Sequence, residues 1–300
     1  MDMTQNKCCR HGANLRRRRR RRRKILRSII FSCSIIAVAV FVAVGSRMIT
    51  SGDGGTNKYD VEAGNNTYDN AVIENSKISE KNKIQNNQSM LDDIMNSTQY
   101  PKQLKDLALK NEEALEFVYD YPAEHVKEHT IDLTEEASMD SVPLFVQWDK
   151  RWGYEKYSGN FFAASGCGPT TLSMVVVYLT HNREASPIAV AKYSKEAGYS
   201  VDGSGSSWTL ISEGCRHYGV KAKTVALDES RMKAELDEGH PIVVNVGPGD
   251  FTDTGHFMVI TGYDDEGFSI NDPNSIEKSG KRWLFKNISS QIRAVWSMYV

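Results

Sequence analysis

A cysteine between two glycines, followed by an apolar run, is the first place in this chain where chemistry is possible. Cys167 stands in Ser165-Gly166-Cys167-Gly168-Pro169-Thr170-Thr171, ahead of Leu172-Ser173-Met174-Val175-Val176-Val177-Tyr178-Leu179. Pro169 suits a first helical position, where its missing N–H costs nothing. Leu172, Val175, Val176 and Leu179 recur at helical spacing, which predicts a helix with a core-facing side. A thiol just ahead of that helix meets unpaired backbone N–H groups and the positive end of the helix dipole. Both favour the thiolate, which is the nucleophile. The flanking glycines are expected to leave room for a substrate backbone. The stretch also fits a tight turn with a small buried cysteine, because a lone thiol needs a base before it can act.

The base is sought in the strand pattern. Gly255-His256-Phe257-Met258-Val259-Ile260-Thr261-Gly262-Tyr263 is apolar and β-branched, and it runs into the polar cluster Asp264-Asp265-Glu266-Gly267. Phe268-Ser269-Ile270-Asn271-Asp272-Pro273 follows, so the segment predicts a β-hairpin turning near Asp264–Gly267. Pairing at constant index sum places Asp272 or Pro273 opposite His256. Opposed side chains lie ~5 Å apart at Cβ, close enough for an imidazole–carboxylate bond. The other histidines have plainer settings. His11 is in the basic tail, His125, His129 and His181 lie in polar segments, His217 sits beside Arg216, and His240 precedes Pro241. His256 alone has a glycine before it and an acid delivered opposite, which favours it as the catalytic base over a core histidine.

These residues need a scaffold. Pro101–Lys110 and Asn111–Val118 read as helices, with Leu104, Leu107, Leu115 and Val118 facing inward. Ser186-Pro187 opens another helix that Gly198 closes. Trp208, Ile211, Cys215 and Tyr218 form a helical stripe ended by Gly219, and a short helix over Ser230–Glu238 stops at Gly239. Pro241-Ile242-Val243-Val244-Asn245-Val246 then begins the strands. Helices first and strands later is an α+β order. About 200 residues suffice for one packed domain.

Gly166-Cys167-Gly168-Pro169-Thr170, Gly255-His256-Phe257-Met258-Val259 and Asn271-Asp272-Pro273 resemble the three signatures of the family-39 cysteine peptidases. A fourth match is Val142-Pro143-Leu144-Phe145-Val146-Gln147-Trp148-Asp149-Lys150-Arg151-Trp152. The family's best-known members trim double-glycine leaders from bacteriocin precursors. The chain is more similar to their stand-alone extracellular relatives, which carry no transporter. In transporter-linked members the glutamine lies only a few residues before the cysteine. Here Trp152, Tyr154, Tyr157, Phe161 and Phe162 lie between Gln147 and Cys167, a longer insert that fits the stand-alone branch. The resemblance covers roughly the last 160 residues and extends weakly through Tyr100–Pro122. It implies a papain-like fold, a nucleophile helix packed on an antiparallel sheet, and a role for Gln147 in the oxyanion hole.

On this reading Cys167 attacks a carbonyl and His256 holds it as an ion pair, then protonates the leaving amine. Asp272 fixes the imidazole, and the Gln147 amide with the Cys167 N–H stabilises the oxyanion. Two further readings stay open: a papain-like cell-wall amidase or endopeptidase using the same thiol, and a membrane-tethered binding domain without turnover. Other features carry less. Asp202-Gly203-Ser204-Gly205-Ser206-Ser207 lacks a preceding strand and a Lys-Ser/Thr, so it reads as a loop rather than a phosphate cradle. There is no Cys-x-x-Cys and no His-Glu-x-x-His, so no cofactor and no metal are expected. A Cys167–Cys215 disulfide would abolish the enzyme reading, but Cys215 on its apolar stripe reads as a free buried thiol.

The location is written at the other end. Arg16 through Arg23 is an unbroken arginine run, followed by Lys24 and Arg27, and no charge then appears before Arg47. Such a span of ~18–20 uncharged residues is long enough to cross a bilayer, with the basic side cytoplasmic. Ala43-Val44-Gly45 offers a signal-peptidase site, yet the apolar region exceeds the usual 7–15 residues of a signal peptide, which favours an uncleaved anchor. Residues 1–47 hold 13 of the 37 Lys and Arg and one of the 38 Asp and Glu. The rest therefore carries 24 against 37, a net charge of −13, which argues against a nucleic-acid partner. The expected organisation is a cytoplasmic basic tail (1–27), a transmembrane helix (28–46), a flexible stalk (47–95) and an extracellular peptidase domain (96–300). That domain divides into a helical lead-in (96–138) and a catalytic core (139–300). Its expected partners are a peptide or protein substrate and, through the N-terminal helix, the membrane; oligomeric state is left open.

Overall fold

The computed structural model describes residues 67–300, with side chains from 79 onward. The basic tail, the expected transmembrane helix and residues 47–66 lie outside the described residues. Among the described residues no helix is long and apolar enough to cross a membrane.

One expectation is corrected at the start. Thr67–Asn96, all but its last residue expected in a flexible stalk, is a helix (α1). Its sequence is polar over most of its length, so periodicity gave no signal. Among its described side chains, Ile94 is fully buried and Met90 and Leu91 are partly so, packed with the lead-in. Burying one such aliphatic side chain is worth about 1.5–3 kcal/mol. Lys105 Nζ also donates to the Met95 carbonyl at 2.9 Å, placing a cation on the helix's C-terminal end. The lead-in proper is α2 (Lys102–Lys110), a single 3₁₀ turn (Glu112–Ala114) and α3 (Leu115–Tyr119). Leu104, Leu107, Leu115 and Val118 are buried as their spacing predicts.

The lead-in leans on the core through aromatic residues. Phe117 stacks on Tyr154 with ring centroids 4.2 Å apart, and Tyr154 Oη donates to the Phe117 carbonyl at 2.7 Å.

The core that follows is α+β. Helix α4 (Cys167–Thr180) is buried from Gly168 through Val177, on all its faces rather than along one stripe. It packs with α5 (Pro187–Glu196), whose Ser186 N-cap accepts from the Ala189 N–H and whose exit passes through Gly198 at φ +78°. The stripe from Trp208 to Tyr218 is not one helix: α6 (Thr209–Ser212) gives way to a 3₁₀ turn over Gly214–Tyr218. Ile211 and Cys215 are buried, while Trp208 at its start is 48% exposed. Helix α7 (Glu229–Asp237) is capped by Asp228, which accepts from the Arg231 N–H.

Six antiparallel strands make the sheet: β1 (Lys221–Thr224), β2 (Ile242–Val246), β3 (His256–Asp264), β4 (Gly267–Asn271), β5 (Arg282–Trp283) and β6 (Ile292–Tyr299), in the order β1-β6-β2-β3-β4-β5. All of β2 and the first five residues of β3 are buried, as strands covered on both faces must be. Val243, Val259 and Phe257 join the cluster under α4, while Val244, Met258 and Ile260 face a second cluster with Met232 and Leu236 of α7.

Candidate active site

Cys167 is the first residue of α4, two residues earlier than the proline predicts. Pro169 is therefore the third helical residue, still among the four whose N–H has no partner within the helix. The flanking glycines do not leave space for a substrate. A Cβ at Gly168 would lie 2.6 Å from Ser206 Oγ, and one at Gly166 would lie 2.6 Å from the Phe162 ring. Their smallness lets the protein pack tightly around the Cys167 backbone. Thr171 Oγ1, one turn into α4, donates to the Phe257 carbonyl at 3.1 Å. The start of α4 is thereby fastened to β3 one residue beyond His256.

His256 is the first residue of β3, paired with Val246 of β2, and Asn245 Nδ2 donates to its carbonyl at 3.2 Å. Its Nε2 donates to Asp272 Oδ1 at 2.7 Å, with His256 buried and Asp272 wholly so. The contact matches the sequence expectation, but the route to it differs. The hairpin turns over Asp265-Glu266, and a bulge between Ile260 and Gly262 shifts the register by one. Extended from the Val259–Asn271 pair, His256 would align with residue 274. Asp272 instead lies past the end of β4, in a turn that bridges it to Ser275, and reaches the imidazole diagonally.

With Nε2 taken by Asp272, Nδ1 is the imidazole nitrogen left for the thiol. Burial alone would push the Cys167 thiol up. The hydrogen bond and charge of His256, with the Phe257 and Gly168 backbone N–H groups, outweigh it and hold Cys167 below the ordinary thiol value. Burial likewise opposes the imidazolium, yet Asp272 and Cys167 raise His256 above its ordinary value. Both shifts favour a thiolate–imidazolium pair. Cys167 and Cys215 are free thiols, not a disulfide.

Gln147 is buried and lines the same cleft as Cys167 and His256, a cavity of about 490 Å³. Its backbone N–H donates to the Pro273 carbonyl at 2.7 Å. Its Nε2 donates to the Ala163 carbonyl at 2.7 Å and reaches Asn274 Oδ1 only at 3.4 Å. The Ala163 carbonyl requires a donor, which fixes the orientation of the amide. One of its two N–H bonds is held firmly by the Ala163 carbonyl, and the other only by the long contact to Asn274 Oδ1, which leaves it the weaker-held donor in the cleft.

Asn274 was not singled out by the sequence. It sits at the junction of the site, with its backbone N–H on Asp272 Oδ1 at 2.8 Å and its carbonyl accepting from Trp148 Nε1 at 3.2 Å. An asparagine directly after Asp272-Pro273 is a turn signal that could have marked it. Among the described residues no group of three or more His, Cys, Asp or Glu is placed to hold a metal ion.

The family model described as Peptidase_C39 like family matches residues 139–300. The chain belongs to that family. That membership supports a cysteine peptidase, and the chain has the family's mixed fold of helices and an antiparallel sheet. Among solved structures it is similar to the peptidase domain of Streptococcus ComA, a bifunctional ABC transporter involved in a quorum sensing pathway. Identity there is 19%, covering 53% of this chain and 96% of that one, with a TM-score of 0.38. It is also similar to a C39-like peptidase from Bacillus anthracis, at 17% identity, 53% and 95% coverage and a TM-score of 0.33. A search of the curated proteins finds no match.

Proposed function

We propose that this C39-like chain is a membrane-anchored extracellular peptidase in which Cys167, His256, Asp272 and Gln147 carry the reaction. The observation that supports it best is the buried His256–Asp272 pair beside a thiol held below its ordinary pKa. Cys167 Sγ attacks the scissile carbonyl carbon, and the negative charge moves to the carbonyl oxygen. The Cys167 N–H, without an intrahelical partner, and the second Gln147 N–H are the donors for that oxyanion. The His256 imidazolium gives its proton to the leaving amine as the C–N bond breaks, which leaves a thioester on Cys167. Water, deprotonated by the now neutral imidazole, then hydrolyses the thioester and regenerates the thiolate. Asp272 holds the ring and its charge throughout.

Localisation rests on the sequence: the arginine run beside an uncharged span orients the chain with its tail inside and the peptidase outside. The acidic remainder suits a peptide or protein partner rather than nucleic acid.

The test is turnover by the full chain and by Cys167→Ala on a peptide library and on purified cell wall. Peptide cleavage that vanishes in the variant is expected. Release of fragments from cell wall but never from peptides would favour an amidase, and no thiol-dependent turnover on either would leave a binding domain. Protease added to intact cells should remove the C-terminal domain and spare the arginine-rich tail; a domain protected until lysis would invert the topology.

A further inference from the structure

The turn that carries Asp272 is not held by the catalytic core alone. It is gripped by a stretch of the lead-in more than 150 residues away in sequence, and outside the residues matched by the family model. Glu113, in the 3₁₀ turn, accepts from three consecutive residues: the Ser275 hydroxyl, the Ile276 N–H at 2.7 Å and the Glu277 N–H at 3.0 Å. These N–H groups open helix α8 (Ile276–Ser279), whose N-cap Ser275 takes the Lys278 N–H, so the Glu113 carboxylate completes the cap from outside. Asn111 Nδ2 donates to the Asn274 carbonyl at 2.9 Å and to Asn274 Oδ1 at 3.1 Å. Asn111 Oδ1 meanwhile accepts from the Glu113 N–H at 3.0 Å, which locks the two together.

From this grip the path to the chemistry is short. Ser279 Oγ, at the far end of α8, accepts from the Asp272 N–H at 2.8 Å. The Ser275 N–H donates to the Asp272 carbonyl at 3.2 Å, closing the turn on itself. Asn274 touches both the Asp272 carboxylate and the Gln147 amide. The groups that orient His256 and receive the oxyanion therefore share one turn, clamped from outside the core.

We propose that Glu113 and Asn111 are positioning residues of the active site, acting through the 272–279 turn to hold Asp272 and Asn274 in place. The proposal rests on the thiol-peptidase reading. A displacement of about 1 Å at such a site costs roughly 10²-fold in rate, and the clamp is the device that prevents it. Glu113 does not line the cleft with Cys167, so its loss should act on turnover rather than on substrate binding.

The experiment uses the full chain and two readouts: steady-state kinetics on a peptide substrate, and the pH dependence of Cys167 alkylation by iodoacetamide. Glu113→Ala is expected to lower kcat about 10–100-fold with KM within about threefold. It should also move the rise in alkylation to higher pH, by about one unit, as Asp272 loosens its hold on His256. Glu113→Gln, which keeps an acceptor for the N–H groups, should recover most of kcat. Glu112→Ala is the control, because that carboxylate bonds Asn87 of α1 and nothing at the turn. Should Glu113→Ala fail to fold, Glu113→Asp carries the test, keeping the charge but falling one methylene short. A folded Glu113 variant with parental kcat and alkylation profile, or with a raised KM alone, overturns the clamp. If the parent chain shows no alkylation of Cys167 below the ordinary thiol range, the thiol-peptidase reading fails and the clamp falls with it.

Discussion

Cys167 and Cys215 are the same residue in the same core, and the structure gives them opposite chemistry. Burial is the largest influence on both, and it opposes the thiolate in both. At Cys215 only the Arg216 charge and its own backbone N–H push back, and the thiol stays raised to about 11. At Cys167 an imidazole, backed by a buried carboxylate, and two backbone N–H groups face the sulfur, and the direction reverses. A cysteine's reactivity is therefore a property of what faces it. Cys215 occupies a 3₁₀ turn packed in the main apolar cluster, where burial outweighs the few polar groups that act on it.

That contrast can be broken in stages. The largest effect should come from Asp272→Asn, which leaves the fold and removes the charge that sustains the imidazolium. Steady-state kinetics should show kcat reduced by about 10³–10⁴-fold. Asp264→Asn, whose carboxylate bonds Arg282 at the exposed hairpin end, should stay within about twofold. Near-parental kinetics for Asp272→Asn would mean that another group orients His256 and sustains the contrast between the two cysteines.

Labelling sharpens the contrast without turnover. The Cys167 thiolate is lost only as pH falls through its lowered pKa, and the His256 imidazolium only as pH rises through its raised one. Iodoacetamide at a pH below the ordinary thiol range should therefore label Cys167 and, by peptide mapping, leave Cys215 untouched. A thiol at about 11 is ionised to only about one part in 10⁴ at pH 7. Equal labelling of the two sites in folded protein would remove the distinction.

The smallest effect belongs to Cys215→Ala. It deletes one buried sulfur from a packed cluster, so thermal unfolding should show about 1 kcal/mol lost while kcat stays within about twofold. A large loss of activity there would show that the buried thiol is coupled to the site after all.

The two halves of the site differed in how far sequence could reach them. Cys167 and its helix lie in one stretch of fifteen residues, and their chemistry follows from local order: glycine, thiol, proline, apolar run. The His256–Asp272 contact was also within reach, because a hairpin makes neighbours of residues at computable positions. Its register was not, since a bulge at Ile260/Gly262 inserts a residue that no turn rule announces. Helix α1 was hidden for another reason. Met90, Leu91 and Ile94 span little more than a turn, too short for a period to show against thirty mostly polar residues.

The sequence by itself determined which residues are chemically able: a thiol at a helix mouth, an imidazole and an acid at the open end of a hairpin, and a glutamine recognised through family resemblance. Periodicity and turn chemistry act over a few residues, so they are visible in a string. Tertiary structure alone decided how those groups are held. The Gln147 amide is committed on one side to the Ala163 carbonyl, the Asp272 turn is capped by Glu113, and Gly166 and Gly168 are filled by Phe162 and Ser206 rather than left open. Each of these is a contact between segments far apart in the chain, made only once the apolar clusters have closed and brought them within hydrogen-bonding distance.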